Sequence, residues 1–200
     1  MRLVLASNNP GKLREIQALA EPLGIEVISA RQAGFTDEVE ETGSTFAENA
    51  RLKACTAARA LGLPVLADDS GLVVQALGGR PGVYSARYAG PNADDAANNA
   101  KLLRELKGVP PHQRRAAFVC HLVCCLPDGR TLEAEGRLEG SIALEPAGEG
   151  GFGYDPVFLL PERGLTVAQL RPAEKNAISH RGQALKALMK DLWEFLSSGK

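Results

Sequence analysis

The sequence predicts an α/β fold, and three observations lead there. Short apolar runs, Leu3–Ala6, Ile25–Ile28 and Val65–Ala67, alternate with capped stretches of helical periodicity. Two strand-like stretches, residues 115–126 and 131–140, meet at Pro127-Asp128-Gly129-Arg130, a turn sequence that predicts an antiparallel hairpin. The last stretch repeats Leu185, Leu188, Met189, Leu192, Phe195 and Leu196 at helical spacing, the apolar stripe of a helix laid on a core. With 200 residues and no linker, the chain reads as one domain over residues 1–200, large enough to bury a sizeable core.

Taken in order, Arg2 to Ser7 reads as a buried first strand. Asn9 then suits an N-cap and Pro10 the first helical position of a helix through Leu19, which Gly24 ends. After the strand 25–28 comes an acidic loop, residues 37–43. Thr45 and Glu48 have capping-box spacing before a helix to about Leu61, closed by Gly62. The strand Val65–Ala67 runs into Asp68-Asp69-Ser70-Gly71, and residues 72–74 continue extended. The turn-rich segment 76–88 places Arg80 and Arg87 as cations near these acids. Asp94 or Asp95 caps a helix to about Lys107. Residues 157–160 read as a strand, and Glu174 to Gly182 open the last helix with Ser179 as N-cap.

Composition excludes several classes. Hydrophobic content of 44% and charged content of 24% are those of a globular protein, and a net charge of −1 argues against a nucleic-acid-coating or anionic-membrane surface. The longest apolar run, Phe118–Leu126, is far short of a membrane span, and the start lacks a signal-peptide pattern, so the chain is expected in the cytoplasm with no nucleic acid or membrane partner. The four cysteines, Cys55, Cys120, Cys124 and Cys125, lack the paired spacing of a zinc knuckle and are expected as buried reduced thiols.

Two consecutive carboxylates at the end of an apolar strand are the feature that asks for chemistry. Side chains alternate along a strand, so Asp68 and Asp69 point to opposite faces, one free to hold structure while the other faces a ligand. Read alone, the pair is also compatible with an Asx-turn. The turn Ser7-Asn8-Asn9-Pro10-Gly11-Lys12 leads into a helix N-terminus and adds a full positive charge, a corner that suits a phosphate or is simply a capped helix. Asn49 and Lys53, four apart, share a helix face that turns to solvent or to a phosphate. Residues 148–153 match Gly-x-Gly-x-x-Gly, but a strand follows where a dinucleotide site needs a helix. The glycines around Phe152 and Tyr154 suggest instead an aromatic ring presented for stacking, or one tucked into the core. His180 and Arg181 stand in the first turn of the last helix, where an anionic or acceptor-rich ligand offsets their conflict with the macrodipole.

Six stretches together, 7–12, 40–54, 66–72, 76–90, 151–156 and 174–185, resemble the inosine and xanthosine triphosphate pyrophosphatase family in order along nearly the whole chain. The resemblance implies an elongated, strongly twisted mixed sheet flanked by helices, two lobes with a central cleft, and a homodimer. It implies Mg²⁺-dependent hydrolysis of non-standard purine nucleoside triphosphates (ITP, dITP, XTP) between the α and β phosphates. The products are a nucleoside monophosphate and pyrophosphate, which cleanses the nucleotide pool and keeps these bases out of DNA and RNA. Carried over by position, Ser7, Asn8, Asn9, Pro10, Gly11 and Lys12 bind the triphosphate, Glu40 and Asp69 hold Mg²⁺, and Asp69 is the proton acceptor. Ser70, Phe152, Gly153, Tyr154, Asp155, Lys175, His180 and Arg181 contact the substrate. Lys12, Lys53 and Lys175 are placed to neutralise charge on a leaving pyrophosphate. Glu41 in place of Glu40 and Asp68 in place of Asp69 stay open as metal ligands. A nucleotide sensor without turnover and a dehydrogenase are the competing classes. The sensor would not need both carboxylates, and the dehydrogenase would need a helix after Gly153.

Overall fold

The computed structural model describes residues 2–7 and 9–197. Its elements follow the expected alternation. Strand β1 (Arg2–Leu5), helix α1 (Pro10–Ala20), β2 (Glu26–Ser29), α2 (Phe46–Leu61) and β3 (Val65–Val74) come first. Then follow α3 (Asp95–Glu105), β4 (Arg115–Cys125), β5 (Thr131–Ile142), β6 (Phe158–Leu160), β7 (Leu165–Thr166), α4 (Pro172–Ile178) and α5 (His180–Ser197). The seven strands form one mixed sheet in the order β2-β1-β3-β4-β5-β6-β7. β1 pairs parallel with β2 and with β3, while β5 with β6 and β6 with β7 run antiparallel. The turn between β4 and β5 is closed by Leu126 and Arg130, as the hairpin reading expected.

The chain forms two compact units, Met1–Asp69 with Cys120–Gly136 and His180–Lys200, and Ser70–Val119 with Arg137–Ser179. Strands β3, β4 and β5 supply residues to both, so neither unit is a separable stretch of sequence.

In the first unit, strand alternation sends neighbouring side chains to two different cores. Leu3, Leu5, Leu66, Cys120, Leu122 and Cys124 pack with Ile16 and Ala20 of α1 and with Ala184, Leu185, Leu188 and Leu192 of α5. Val4, Val65, Ala67, Val123 and Cys125 pack instead with Ala50, Ala54, Ala57 and Ala58 of α2. Alanine at these four helically spaced positions lets α2 lie close to the sheet, and its ends are set as the sequence predicted. Thr45 and Glu48 form a reciprocal capping box, and Gly62 turns left-handed at the C-terminus. The second unit has a core of its own, in which Leu72 and Val74 of β3 meet Leu102 and Leu106 around the stacked rings of Phe118 and Phe158.

Three expectations need correction. Asp68 and Asp69 do not end a strand, because β3 runs on unbroken to Val74, drawn by the burial of Leu72 and Val74. The stretch from Glu174 does not open the last helix but belongs to a helix of its own, α4, while Ser179, extended (φ −62°, ψ 147°), stands immediately before α5 where its N-cap was expected. The cysteines are not all reduced: Cys55 and Cys125 form a disulfide, Cα to Cα 5.2 Å, while Cys120 and Cys124 are buried thiols outside it. The alternation of β4 decides this, since it turns Cys125 toward α2 and Cys55 and turns Cys120 and Cys124 into the opposite core. No helix among the described residues is long and apolar enough to cross a membrane.

Candidate active site

The two carboxylates of β3 divide as alternation requires. Asp68 is fully buried and bound on two sides: Lys12 Nζ lies 2.9 Å and Arg181 Nε 3.5 Å from its Oδ2. Arg181 Nη1 in turn lies 2.6 Å from Glu15 Oε2. The chain Glu15–Arg181–Asp68–Lys12 is therefore a buried alternation of charge, assembled from α1, β3 and the first turn of α5. Burial opposes the charge on Arg181, but Glu15 and Asp68 outweigh it and raise the pKa of the guanidinium above its ordinary value.

Asp69, on the other face, meets α2. Its Oδ2 accepts from Asn49 Nδ2 at 3.2 Å and its Oδ1 lies 3.6 Å from Lys53 Nζ. Lys53 also reaches Glu41 Oε1 at 2.7 Å. Burial pushes the Asp69 carboxyl up, and Glu41 adds to the rise; Lys53, Lys12 and Asn49 pull downward without cancelling it. Burial works against the Lys53 ammonium, but Asp69, Asp68 and Glu41 together raise its pKa. A carboxylate with raised proton affinity beside a charged lysine is the pairing that proton acceptance and anion binding require. Of the two adjacent acids of the loop, Glu41 joins this cluster through Lys53, while Glu40 is exposed beside it.

The phosphate corner is more self-contained than its sequence suggests. Asn9 Oδ1 accepts from the N–H groups of Gly11 (2.8 Å) and Lys12 (3.1 Å), Pro10 has no N–H, and the Asn9 N–H donates to Ser7 Oγ at 3.3 Å. The N–H groups of Gly11 and Lys12 are thus taken by Asn9, and the Lys12 ammonium by Asp68. Asn8 lies outside the described residues.

A second set of groups forms in the other unit around residues 151–155. Asp155 is buried, and its Oδ2 accepts from the Phe152 N–H at 3.0 Å and from Lys175 Nζ at 2.8 Å. Lys175 Nζ also stands 4.5 Å from the centroid of the Phe152 ring, a cation–π contact. Gly151 is left-handed (φ +76°), and a Cβ there would collide with Asp155 Oδ2, so this turn is closed to any other residue. The Gly153 peptide is held from both ends: its N–H donates to Asp95 Oδ2 at 2.6 Å and its carbonyl accepts from Asn99 Nδ2 at 3.0 Å. Asp94 caps α3 through the Ala97 N–H, which leaves Asp95 for this role.

The two aromatic residues part company here. Phe152 is half-buried beneath Lys175, whereas Tyr154 is a core residue whose hydroxyl donates to the Ser85 carbonyl at 2.8 Å. No helix follows Gly153, so the dinucleotide pattern is accidental. Ser70 continues β3 directly after Asp69. His180, nearly buried, is the first residue of α5. Arg181, expected to contact the substrate, has its side chain in ion pairs with Glu15 and Asp68. Glu15 and Asn99 escaped the sequence reading, and Asp95 entered it only as an alternative cap of α3. Each lies on a helix whose periodicity says nothing of which strand or loop it will meet.

Comparison with known proteins decides the kinship. The model of the Ham1 family matches residues 3–191. The chain belongs to the Ham1 family. Its relatives include the dITP/XTP pyrophosphatase of Geobacillus kaustophilus, 58% identical over 198 residues, covering 99% of this chain and 97% of that protein. The protein of the same name from Bacillus subtilis is 53% identical, with 94% of each chain covered. Among solved structures, a HAM1 protein from Coxiella burnetii superposes with a TM-score of 0.87 at 48% identity, covering 97% of this chain and 99% of that one. The Staphylococcus aureus Ham1 protein gives 0.84 at 46% identity over the whole of both chains. The mixed α/β sheet described above is thus the Ham1 fold.

Proposed function

We propose that this Ham1 chain hydrolyses non-standard purine nucleoside triphosphates, ITP, dITP and XTP, to the nucleoside monophosphate and pyrophosphate, as a Mg²⁺-dependent homodimer serving the cytoplasmic nucleotide pool. The observation that carries this reading is the cluster of Asp69, Glu41, Lys53 and Asn49. It joins a proton-hungry carboxylate, a second acid and a cation on one face of β3. The kinship with dITP/XTP pyrophosphatases supplies the substrate class.

The donor set fits magnesium. Among the described residues no group of three or more metal-binding side chains converges. Mg²⁺ held with substrate phosphates, however, takes only one or two carboxylates and keeps its remaining positions for water and phosphate oxygens. Asp69, with Glu40 or Glu41 from the loop, would hold it. When bound, the ion would supply positive charge that neutralises the negative charge developing on the phosphates.

The chain's own residues do the rest. A water oxygen attacks the α-phosphorus, the bond from that phosphorus to the bridging oxygen of the β-phosphate breaks, and the electron pair leaves with pyrophosphate. Asp69 accepts the proton of the attacking water, a role its raised pKa favours, because a base works best when its proton affinity approaches the working pH. Lys53 and Lys12 lower the cost of negative charge on the leaving group. The loop 152–155 with Lys175, together with Ser70 and His180, contacts the substrate. The Arg181 side chain serves this site by holding Asp68.

The 6-oxo group of hypoxanthine and xanthine accepts a hydrogen bond where adenine presents an amino donor, so a site that donates at that position favours the oxo bases. Sites built around such a bond reject the wrong partner by ~10⁴–10⁵-fold. The test is kcat/KM, read as pyrophosphate release with excess Mg²⁺, for ITP, XTP, GTP and ATP. ITP and XTP are expected to lead ATP by orders of magnitude, while GTP, which shares the 6-oxo group, is expected to be poor on the resemblance to the family alone. ATP within about tenfold of ITP would overturn the reading of the base, and release of inorganic phosphate alone would overturn the reaction.

A further inference from the structure

We infer that Asn49 is the positioning residue of Asp69 and locks the end of the acidic loop to it. Asn49 is completely buried, a costly place for an amide unless both its ends are bonded. Both are. Its Oδ1 accepts from the Gly43 N–H at 2.8 Å, and its Nδ2 donates to Asp69 Oδ2 at 3.2 Å. The orientation of the amide follows from the chemistry: a backbone N–H only donates, so the oxygen must face Gly43 and the NH₂ must face the carboxylate.

The loop end is fitted to this contact. A Cβ on Gly43 would stand 2.6 Å from Asn49 Oδ1 and 2.7 Å from Glu48 Cβ, closer than real atoms approach. Glu48 Oε2 accepts from the N–H groups of Ser44 (2.7 Å) and Thr45 (3.2 Å), which fastens the next two residues to the same helix turn. One turn further along α2, Lys53 repeats the connection, reaching Glu41 and Asp69 together. Asn49 and Lys53 thus tie the acidic loop and the β3 carboxylate into one unit, and only Asn49 does so from full burial with directed hydrogen bonds. Its oxygen holds the loop, its nitrogen the carboxylate.

This inference rests on the role given above to Asp69, and the experiment separates the two. Asn49→Asp keeps the size of the side chain and its acceptor toward Gly43 but replaces the donor facing Asp69 by a second carboxylate oxygen. Asn49→Ala removes both bonds without adding charge, and carries the test if the aspartate variant does not fold. Asp69→Asn is measured beside them, with thermal melts confirming that each protein is folded. The expected result is that Asp69→Asn loses turnover, while the Asn49 variants lose about 10–100-fold in kcat with KM for ITP unchanged. Folded Asn49 variants with kcat within about threefold of the parent, or with the loss entirely in KM, overturn the positioning role. An Asp69→Asn protein that still turns over would instead remove Asp69 as the proton acceptor, a failure of the proposed mechanism that the parallel measurement identifies as such.

Discussion

Arg181 shows best how far a single residue can be read. Placed after His180 at a helix start, it looks in sequence like a ligand-facing cation, and in the structure it is an internal counter-ion. Its guanidinium is almost wholly buried between Glu15 and Asp68, and Lys12 completes the charge balance. Removing one partner of such a pair leaves buried carboxylates without their cation, which costs about 3–5 kcal/mol. Arg181→Ala is therefore expected to lose about that much stability in a urea titration, whereas a change of nucleotide preference at unchanged stability would return Arg181 to the base. The opposite faces of Asp68 and Asp69 were legible, because strand alternation allows no other outcome once β3 is a strand. Which of the two would be locked in ion pairs was not, since the partners come from α1, α2 and α5.

At the scale of elements, caps were read almost to the residue, because they are local. Asn9, Thr45 and Asp94 each accept from backbone N–H groups two or three positions on. The start of α5 depends on something sequence spacing does not carry. Gly136 of β5 approaches the first turn of α5 so closely that a Cβ would run into the His180 carbonyl and the Ala184 N–H. That turn holds His180 and Arg181, so its position is set by a strand far away in the chain. Gly136→Ala is expected to destabilise the protein by about 1–3 kcal/mol, the usual cost of overpacking, and to lower kcat/KM for ITP together with it. A variant that melts and turns over like the parent would show that α5 is not held there. The separate helix α4 ahead of Ser179 and the unbroken run of β3 through Asp68 and Asp69 were not legible, for each is decided by which core the next apolar side chain enters.

For the molecule as a whole, the Cys55–Cys125 disulfide is a covalent connection between α2 and β4, closing a loop over a sequence separation of 70 residues. In the loop-entropy account, a cross-link of that span stabilises the folded chain by about 4 kcal/mol by restricting the unfolded one. Thermal melts are therefore expected to fall on adding reductant, with no such effect in Cys55→Ser; equal melting with and without reductant in the parent would contradict the cross-link. The other two thiols offer an independent check. Burial pushes Cys124 up to about 12, and Cys120 is equally enclosed. At pH 8 an alkylating reagent should thus leave the native protein unlabelled, since the thiolate is the reactive form. After unfolding, two cysteines should react without reductant and all four with it. Label on the native protein would place Cys120 or Cys124 in contact with solvent.

The sequence by itself determined the α/β class, the helix caps, the hairpin, the rejection of a dinucleotide loop, and the kinship that gives a substrate class. These follow from interactions within a few residues of chain, or from motifs that stand in a line. Tertiary structure alone decided that Arg181 would face Glu15 and Asp68, that Asn49 would join Gly43 to Asp69, that Asp95 and Asn99 would clasp Gly153, and that Cys55 would find Cys125. Periodicity tells which face of a helix or strand is buried, but it does not tell which partner it is buried against. Those partners are chosen when sheet order and helix packing bring distant segments together, and it is there that buried charges and amides must find their complement.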